Sequence, residues 1–429
     1  MIKKTLPIVE VRLDKIVGGG QALGTLEDGR KVFVWGGLPD EEVRVQLTKK
    51  KSSYAEGVVT EVLKASSDRV EPKDPGSYLS TSPWQIMSLD TEQRYKAALI
   101  EEAFEMHDIV LPNPIDVYTD GTEYGYRNKV EFSFWFETET EKLSLAFFRR
   151  GTHGKISVDG TSLATDVINA KGKQVLDALN ELGVIGRALK TLLIRSSADG
   201  SVSWQLYVKD EDFDAAALLA KLPDEKNGEV IFSNPKSPAS VITKHLSRRT
   251  PPLADTIAEV PFHYATEGFF QINLPVYEQA LIDMREWVKP DQEVVDLYSG
   301  VGSIGLTIGG DNVTLVELNE NAVREMERNV KELGKKATPI LAASENALDH
   351  IVKNKTIIVD PPRAGLHEAV VERLLEEKPE RIIYLSCNPV TQARDVARLA
   401  EAYGIKTHKG YNFFPHTPHI EHLVVLDLY

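Results

Sequence analysis

Hydrophobic and polar positions change their spacing several times along the chain. Over residues 5–64 they alternate in short runs, Ile8–Leu13, Lys31–Trp35, Glu42–Leu47 and Gly57–Leu63, separated by Gly18-Gly19-Gly20, Asp28-Gly29 and Gly36-Gly37. A period of two puts alternate side chains on one face of a strand. Short strands with glycine turns between them predict a small barrel of the oligonucleotide-binding type. That barrel hosts several ligand classes, so alone it names no ligand. Residues 65–87 show no period and are rich in Ser, Pro, Asp and Gly, as in a linker. Residues 90–108 take helical spacing, with Asp90 or Thr91 as the cap. Residues 117–255 mix strands and helices, and Tyr124–Phe136 is the strongest strand. Its alternation sets Arg127, Lys129 and Glu131 on one face and Asn128, Val130, Phe132 and Phe134 on the other. From residue 260 strands alternate with helices, the pattern of a doubly wound parallel sheet. Three domains follow: 1–64, 65–255 and 256–429.

The chemistry-bearing residues fall where this last region predicts strand ends. Glu293-Val-Val-Asp-Leu-Tyr-Ser runs into Gly300-x-Gly302-x-x-Gly305, and about 20 residues later Val313-Thr-Leu-Val-Glu317 ends a second strand in an acid. Glycines there permit a tight turn and close approach of backbone to a ligand, and the acid suits ribose hydroxyls. A nicotinamide dinucleotide and S-adenosylmethionine both fit this pattern. Lys355-Thr-Ile-Ile-Val-Asp360-Pro-Pro-Arg363 is a buried-strand pattern ending in an acid that two prolines stiffen. Asp-Pro-Pro after a glycine-rich nucleotide loop favours a methyltransferase over a dehydrogenase. Cys387, the chain's only cysteine, stands between a strand-like run and a helix-like run. A lone cysteine is more often a small buried hydrophobe than a nucleophile. Glu421 stands at the start of the final strand, where an isolated carboxylate is more often plain surface.

Charge changes the picture only locally. The net charge of −14 argues against indiscriminate nucleic-acid binding. Residues 1–64 are nevertheless balanced toward basic, and Lys49-Lys50-Lys51 lies among them. Any nucleic-acid binding is therefore expected to be groove-like and salt-sensitive. One cysteine excludes an intrachain disulfide and fits a reducing compartment. Charged residues alternate with apolar ones near the N-terminus (Glu10, Arg12, Asp14, Lys15), unlike a signal peptide, and no apolar run has membrane-spanning length. A cytoplasmic, monomeric protein with no membrane partner is expected.

Taken together, Phe269-Phe-Gln-Ile-Asn273, Asp296-Leu-Tyr-Ser-Gly-Val-Gly302, Asp360-Pro-Pro-Arg-Ala-Gly-Leu366, Ser386-Cys-Asn-Pro-Val-Thr-x-Ala-Arg-Asp395 and Phe414-Pro-His-Thr-x-His-Ile-Glu421 resemble, in order, the motifs of the RNA uracil carbon-5 methyltransferases. Residues 5–64 resemble the TRAM domain that opens many members. The resemblance implies a Rossmann-like S-adenosylmethionine methyltransferase domain (α/β) behind a TRAM/OB-like β-barrel and a central α+β RNA-binding domain. It implies transfer or ribosomal RNA as substrate and 5-methyluridine as product. Cys387 is then the nucleophile at uracil carbon 6, Glu421 the base at carbon 5, and Asp360 an acid close to both cofactor and base. Gln271, Tyr298, Gly300, Gly302, Ser303, Glu317 and Asp360 become cofactor contacts, although Ser303 is often asparagine in the family. Arg127, Lys129, Phe269 and Arg363 become RNA contacts. A polar or positive surrounding is expected around a thiol that must ionise, and a dry pocket around Glu421.

Many members carry four cysteines that hold an iron–sulfur cluster. Here Asp74, Ser80, Pro83 and a position near Thr161 stand in their places, so no such cluster is expected. No metal site is expected elsewhere. His416, His419 and His422 are close in sequence but have no further ligands nearby. Three other functions are consistent with parts of the chain. An RNA cytosine carbon-5 methyltransferase also uses cysteine. A non-catalytic RNA-binding relative would keep the fold, although it need not retain Cys387, Asp360 and Glu421. A dinucleotide-dependent oxidoreductase fits the glycine loop alone.

Overall fold

A computed structural model describes residues 6–152, 154–223, 225–290 and 292–429. Residues 1–5, which the sequence assigns to the barrel domain, lie outside the described residues. Strands β1 Ile8–Ile16, β2 Ala22–Thr25, β3 Lys31–Trp35, β4 Glu42–Lys50 and β5 Tyr54–Lys64 close into a barrel, with β4 pairing back to β1. Alternation decides the interior: Val11, Leu13, Val32, Val34, Val43 and Val45 face inward and are buried. Closure removes the unpaired edges that would invite another chain. Strand β2 is the one that sequence periodicity missed, being four residues long and interrupted by Gly24.

Residues 65–87 are tied down by polar contacts. The Asp74 carboxylate accepts from Ser162 N at 3.0 Å, Ser162 Oγ at 2.8 Å and Thr161 Oγ1 at 3.4 Å. Gln85 donates to Asp74 at 3.2 Å and to Ser82 Oγ at 2.7 Å. Asp74, a position aligned with a cluster cysteine, and Thr161, near another, thus meet through oxygen atoms. Trp84 docks the barrel from the other side. Its indole N–H donates to Gly20 O at 2.9 Å, and its backbone N–H donates to His416 O at 3.1 Å. Gly20 has φ +89, and a Cβ there would sit 2.1 Å from Pro418 Cβ, so only glycine lets the barrel turn lie against residue 418.

The helix Leu89–Glu105 is capped by Ser88, whose Oγ accepts from Thr91 N at 3.3 Å, rather than by Asp90 or Thr91. It packs on the helix Pro389–Leu399, and β6 Val117–Tyr118 adds to the edge of the C-terminal sheet. Residues 89–118 therefore group with the C-terminal domain, not with the central one as the sequence division had them. The central domain is a seven-stranded sheet of β7 Lys129–Glu137, β8 Lys142–Phe148, β9 Lys155–Val158, β10 Leu189–Ser196, β11 Val202–Val208, β12 Gly228–Phe232 and β13 Lys244–His245. Its order is β13-β12-β11-β10-β7-β8-β9, and the helix Asp166–Glu181 covers Phe132, Leu145 and Leu192. The hairpin β14 Leu253–Ile257 and β15 Val260–Tyr264 packs into the C-terminal core with the helix Leu274–Arg285.

The C-terminal sheet contains β16 Val294–Leu297, β17 Val313–Glu317, β18 Thr338–Leu341, β19 Thr356–Val359, β20 Arg381–Ser386, β21 Tyr403–Tyr411 and β22 Glu421–Leu428. The order is β18-β17-β16-β19-β20-β22-β21-β6. The first five are parallel, and β22 enters antiparallel between β20 and β21. Strands β16 and β19 are buried at every position, as continuous apolar runs in a sheet covered on both faces should be. Each such fully buried Val, Ile or Leu side chain contributes about 1.5–3 kcal/mol. Among the described residues no helix is long and apolar enough to cross a membrane.

Asp74→Ala removes an acceptor on which two side-chain hydroxyls and a backbone N–H converge. The expected loss is about 1–3 kcal/mol, read as a lower urea midpoint with an unchanged slope.

Candidate active site

Five strand ends converge on one cavity of about 1570 Å³. The parallel strands β16, β17, β19 and β20 bring their carboxyl ends to the same edge, the ligand edge of a doubly wound sheet. Because β22 runs the other way, its first residue reaches that edge too. Ser386 pairs with His422, and one step further Cys387 and Glu421 flank the end of the β20–β22 ladder. A parallel last strand would have delivered its carboxyl end there instead.

The loop after β16 is shaped by left-handed residues: Tyr298 (φ 64), Gly300 (φ 56) and Gly302 (φ 85). Tyr298 is the costly one, since a non-glycine side chain in this region is strained by about 1–3 kcal/mol. Gly300 N donates to Glu317 Oε2 at 2.9 Å, and Asn319 N donates to Glu317 Oε1 at 2.7 Å. Both carboxylate oxygens thus hold the loops on either side, and each keeps lone pairs for a ligand. No heavy atom lies within 4 Å of where a Cβ on Gly300 would be. Below the loop, Asp296 Oδ2 accepts from Gly305 N at 2.8 Å and burial pushes its carboxyl up to about 8. Tyr277 and Ser303 hydroxyls meet at 2.7 Å at the cavity wall. Glycine backbone, a strand-end carboxylate and half-buried Tyr298 form a set that fits an adenosine-bearing cofactor.

The other part of the cavity is acidic. Asp360, Cys387 and Glu421 all line it. Burial pushes the Asp360 carboxyl up to about 7. Burial, and then the charge of Asp360, holds Glu421 well above the usual carboxylate range, and Glu421 is 6% exposed. The Cys387 thiol is pushed up to about 11, first by burial and then by Glu421 and Asp360, with Arg363 opposing. The polar or positive surrounding expected for the thiol is thus polar, with the carboxylates outweighing Arg363. The dry surrounding expected for Glu421 is present.

Two buried supports fix this end. Lys96 and Glu92 are each fully buried and paired at 2.8 Å. Lys96 Nζ also donates to Asn412 Oδ1 at 2.6 Å and Phe414 O at 3.2 Å, while Glu92 accepts from Asn412 Nδ2 and His416 N. They hold the segment leading to Glu421. Behind the Phe269-Phe-Gln loop, fully buried Arg195 donates to Gly268 O at 2.6 Å and Phe270 O at 2.7 Å, stacked on Tyr264. Sequence reasoning missed Lys96, Glu92 and Arg195. No motif marks them, because a buried charge is recognised only by what surrounds it.

Of the residues the sequence read as RNA contacts, Arg127, Phe269 and Arg363 line the cavity, and Phe269 is 71% exposed. Lys129 is turned to another task. Its ammonium donates to Glu267 O at 3.0 Å and Gly268 O at 3.2 Å, and burial lowers it to about 8. It braces the same loop as Arg195. Gln271 lines the cavity, and its carbonyl accepts from Asn128 Nδ2 at 3.0 Å. Arg249, Arg324, Arg328, Arg394 and Arg398 also line the cavity, each paired with a carboxylate: Glu267, Glu320, Glu325, Asp395 and Glu368 in turn. Among the described residues no cluster of three or more His, Cys, Asp or Glu could hold a metal.

A family model for tRNA (uracil-5-)-methyltransferases matches residues 91–428, and a TRAM-domain model matches residues 7–60. The chain is 28% identical to an uncharacterized RNA methyltransferase of Fusobacterium nucleatum, over 97% of this chain and 95% of the other. It is 28% identical to another from Enterococcus faecalis, over 98% and 97%. Among solved structures, the Pyrococcus abyssi tRNA (uracil-54, C5)-methyltransferase in complex with S-adenosyl-L-homocysteine superposes with a TM-score of 0.76. That match covers 97% of this chain and 100% of the other at 22% identity, a likeness of fold.

Cys387 reports its own ionisation, since no other thiol competes. In the protein without ligand, alkylation by iodoacetamide as a function of pH is expected to rise with a midpoint near 11. Asp360→Asn removes one of the negative charges that disfavour the thiolate, so it moves that midpoint down.

Proposed function

The chain belongs to the tRNA (uracil-5-)-methyltransferase family, and from that premise we propose that it forms 5-methyluridine in structured RNA, transfer or ribosomal, through a covalent Cys387 adduct. It is an S-adenosylmethionine-dependent RNA methyltransferase. The observation that carries the mechanistic reading is the antiparallel entry of β22, with Cys387 and Glu421 flanking one end of the β20–β22 ladder in a single cavity.

Carbon 5 of uracil is a weak nucleophile, and covalent catalysis divides its activation into easier steps. Asp360, which lines the same cavity, takes the proton from the Cys387 thiol and returns it to the released sulfur at the end of the cycle. The Cys387 sulfur forms a bond to carbon 6, and the carbon 5–carbon 6 electron pair moves into an enolate ending on the carbon 4 oxygen. When bound, S-adenosylmethionine supplies the methyl group taken up by carbon 5 and a positive sulfonium charge that favours the ionised forms of Cys387, Asp360 and Glu421. Glu421 then removes the carbon 5 proton. The carbon–sulfur bond to Cys387 breaks, its electrons return to sulfur, and the ring double bond is restored. A carboxylate whose ordinary acidity is weakened by burial is the stronger base once ionised.

Glu317, Tyr298, Ser303 and the Gly300–Gly302 backbone would hold the cofactor, with Gln271 and Asp360 between it and the target base. Arg127 and Arg363 at the cavity suit phosphates, and the target base must be unstacked to enter the site. The single cysteine, in a form that must stay reduced, supports action in the cytoplasm.

The test is methyl transfer from labelled S-adenosylmethionine to RNA lacking uracil carbon-5 methylation, with products mapped by mass spectrometry. Wild type is expected to yield 5-methyluridine, and the mapped position names the RNA. Cys387→Ala abolishes turnover. Glu421→Gln accumulates methylated RNA still bound to protein, visible as a slow band on a denaturing gel. Full activity in Cys387→Ala would remove the covalent mechanism.

A further inference from the structure

His419 sits two residues before Glu421 and lines the same cavity as Cys387 and Arg363. Its ring is clamped. Arg363 Nη2 lies 2.8 Å from His419 Nδ1, and the Phe414 ring meets it edge-on with centroids 5.6 Å apart. Arg363 is itself pinned by its carbonyl, which accepts from Asn388 Nδ2 at 2.9 Å and Thr391 Oγ1 at 3.2 Å, both from the Cys387 loop. A guanidinium only donates, so His419 Nδ1 must be the acceptor. In a neutral imidazole the other nitrogen then carries the proton. Burial, and then Arg363, lowers His419 to about 4, which keeps the ring neutral near pH 7. Among the described residues no protein group pairs with Nε2, and it is not a buried orphan atom.

We propose that the Nε2–H of His419 donates to the carbon 4 oxygen of the target pyrimidine, and so selects uracil over cytosine. This rests on the uracil carbon-5 reading and extends it to a residue with a distinct role. Uracil presents an acceptor at carbon 4, whereas cytosine presents an amino donor there. An Nε2–H fixed by Arg363 meets the first and repels the second. The same oxygen takes up negative charge when Cys387 adds to carbon 6, so the donor gains strength as the adduct forms. A histidine free to change tautomer could serve either base. The Arg363 contact removes that freedom.

Three measurements test this on the full chain. With RNA that wild type methylates, His419→Phe is expected to lower kcat roughly 10²-fold, as loss of one oxyanion donor does, with KM changed far less. His419→Gln, which can present an N–H at the Nε2 position, is expected to recover at least tenfold of that loss and to raise the ratio of cytosine to uracil methylation. S-adenosylhomocysteine binding, measured by calorimetry, stays unchanged in both. Equal kcat in the two variants, or a kcat near wild type in His419→Phe, overturns the proposal. If either variant loses cofactor binding, wild type decides alone. The ring ¹⁵N shifts at pH 7 must show a neutral Nε2–H tautomer, with the Nε2–H proton moving downfield when a 5-fluorouridine RNA is trapped on Cys387. An Nδ1–H tautomer, a charged ring or an unmoved Nε2–H proton overturns it. Failure of wild type to methylate any uracil would instead strike the underlying reading, and is seen separately.

Discussion

A buried charge pair joins segments that the sequence keeps 316 positions apart. Lys96 and Glu92 leave water entirely, and they do so only because Asn412, Phe414 and His416 supply hydrogen bonds to both. Breaking one half of such a pair costs about 3–5 kcal/mol, because the other charge remains buried. The segment before β22 has one position in which all these groups are satisfied. Glu421 follows that segment, and the place of β22 in the sheet sets Glu421 beside Cys387. The N-terminal helix is thus part of the catalytic unit although it precedes the central domain in sequence.

The central domain plays a comparable part at the opposite wall. Buried Arg195 and half-buried Lys129 offer two cations to backbone carbonyls of residues 267–270, with no carboxylate sharing Arg195's hydrogen bonds. Carbonyls are weaker partners than carboxylates, and burial lowers Arg195 to about 10. Such an arrangement is maintained by the fit of the two domains rather than by local preference. It keeps Phe269 outward and Gln271 at the cavity while the hydrophobic body of the loop, Phe270, stays in the core. Loop and domain interface are therefore one mechanical element.

Much of this was legible in the sequence, for identifiable reasons. Strand β17 spans Val313–Glu317 as read, because a short run of β-formers between Gly309-Gly310 and Asn319 leaves little choice. Cys387, Asp360 and Glu421 were singled out by the resemblance of the motifs around them, and the strand ends on which those motifs fall bring all three to one cavity. The barrel was legible through its alternation, apart from the four residues of β2. What periodicity could not reach was non-local. That Lys129 would donate to the carbonyls of residues 267 and 268, that β6 would join the last sheet, and that acids would outweigh Arg363 at the thiol all depend on contacts between segments separate in sequence. Composition hides these, since a lysine on an alternating strand reads the same whichever surface it meets.

The Asp74 junction carries a consequence for how the protein comes into being. This gap is closed by a carboxylate, an amide and hydroxyls already present in the chain. Assembly at that joint needs no metallochaperone and no timing with iron supply. Molecular oxygen has nothing there to attack. The joint should form as soon as residues 74 and 162 have both left the ribosome.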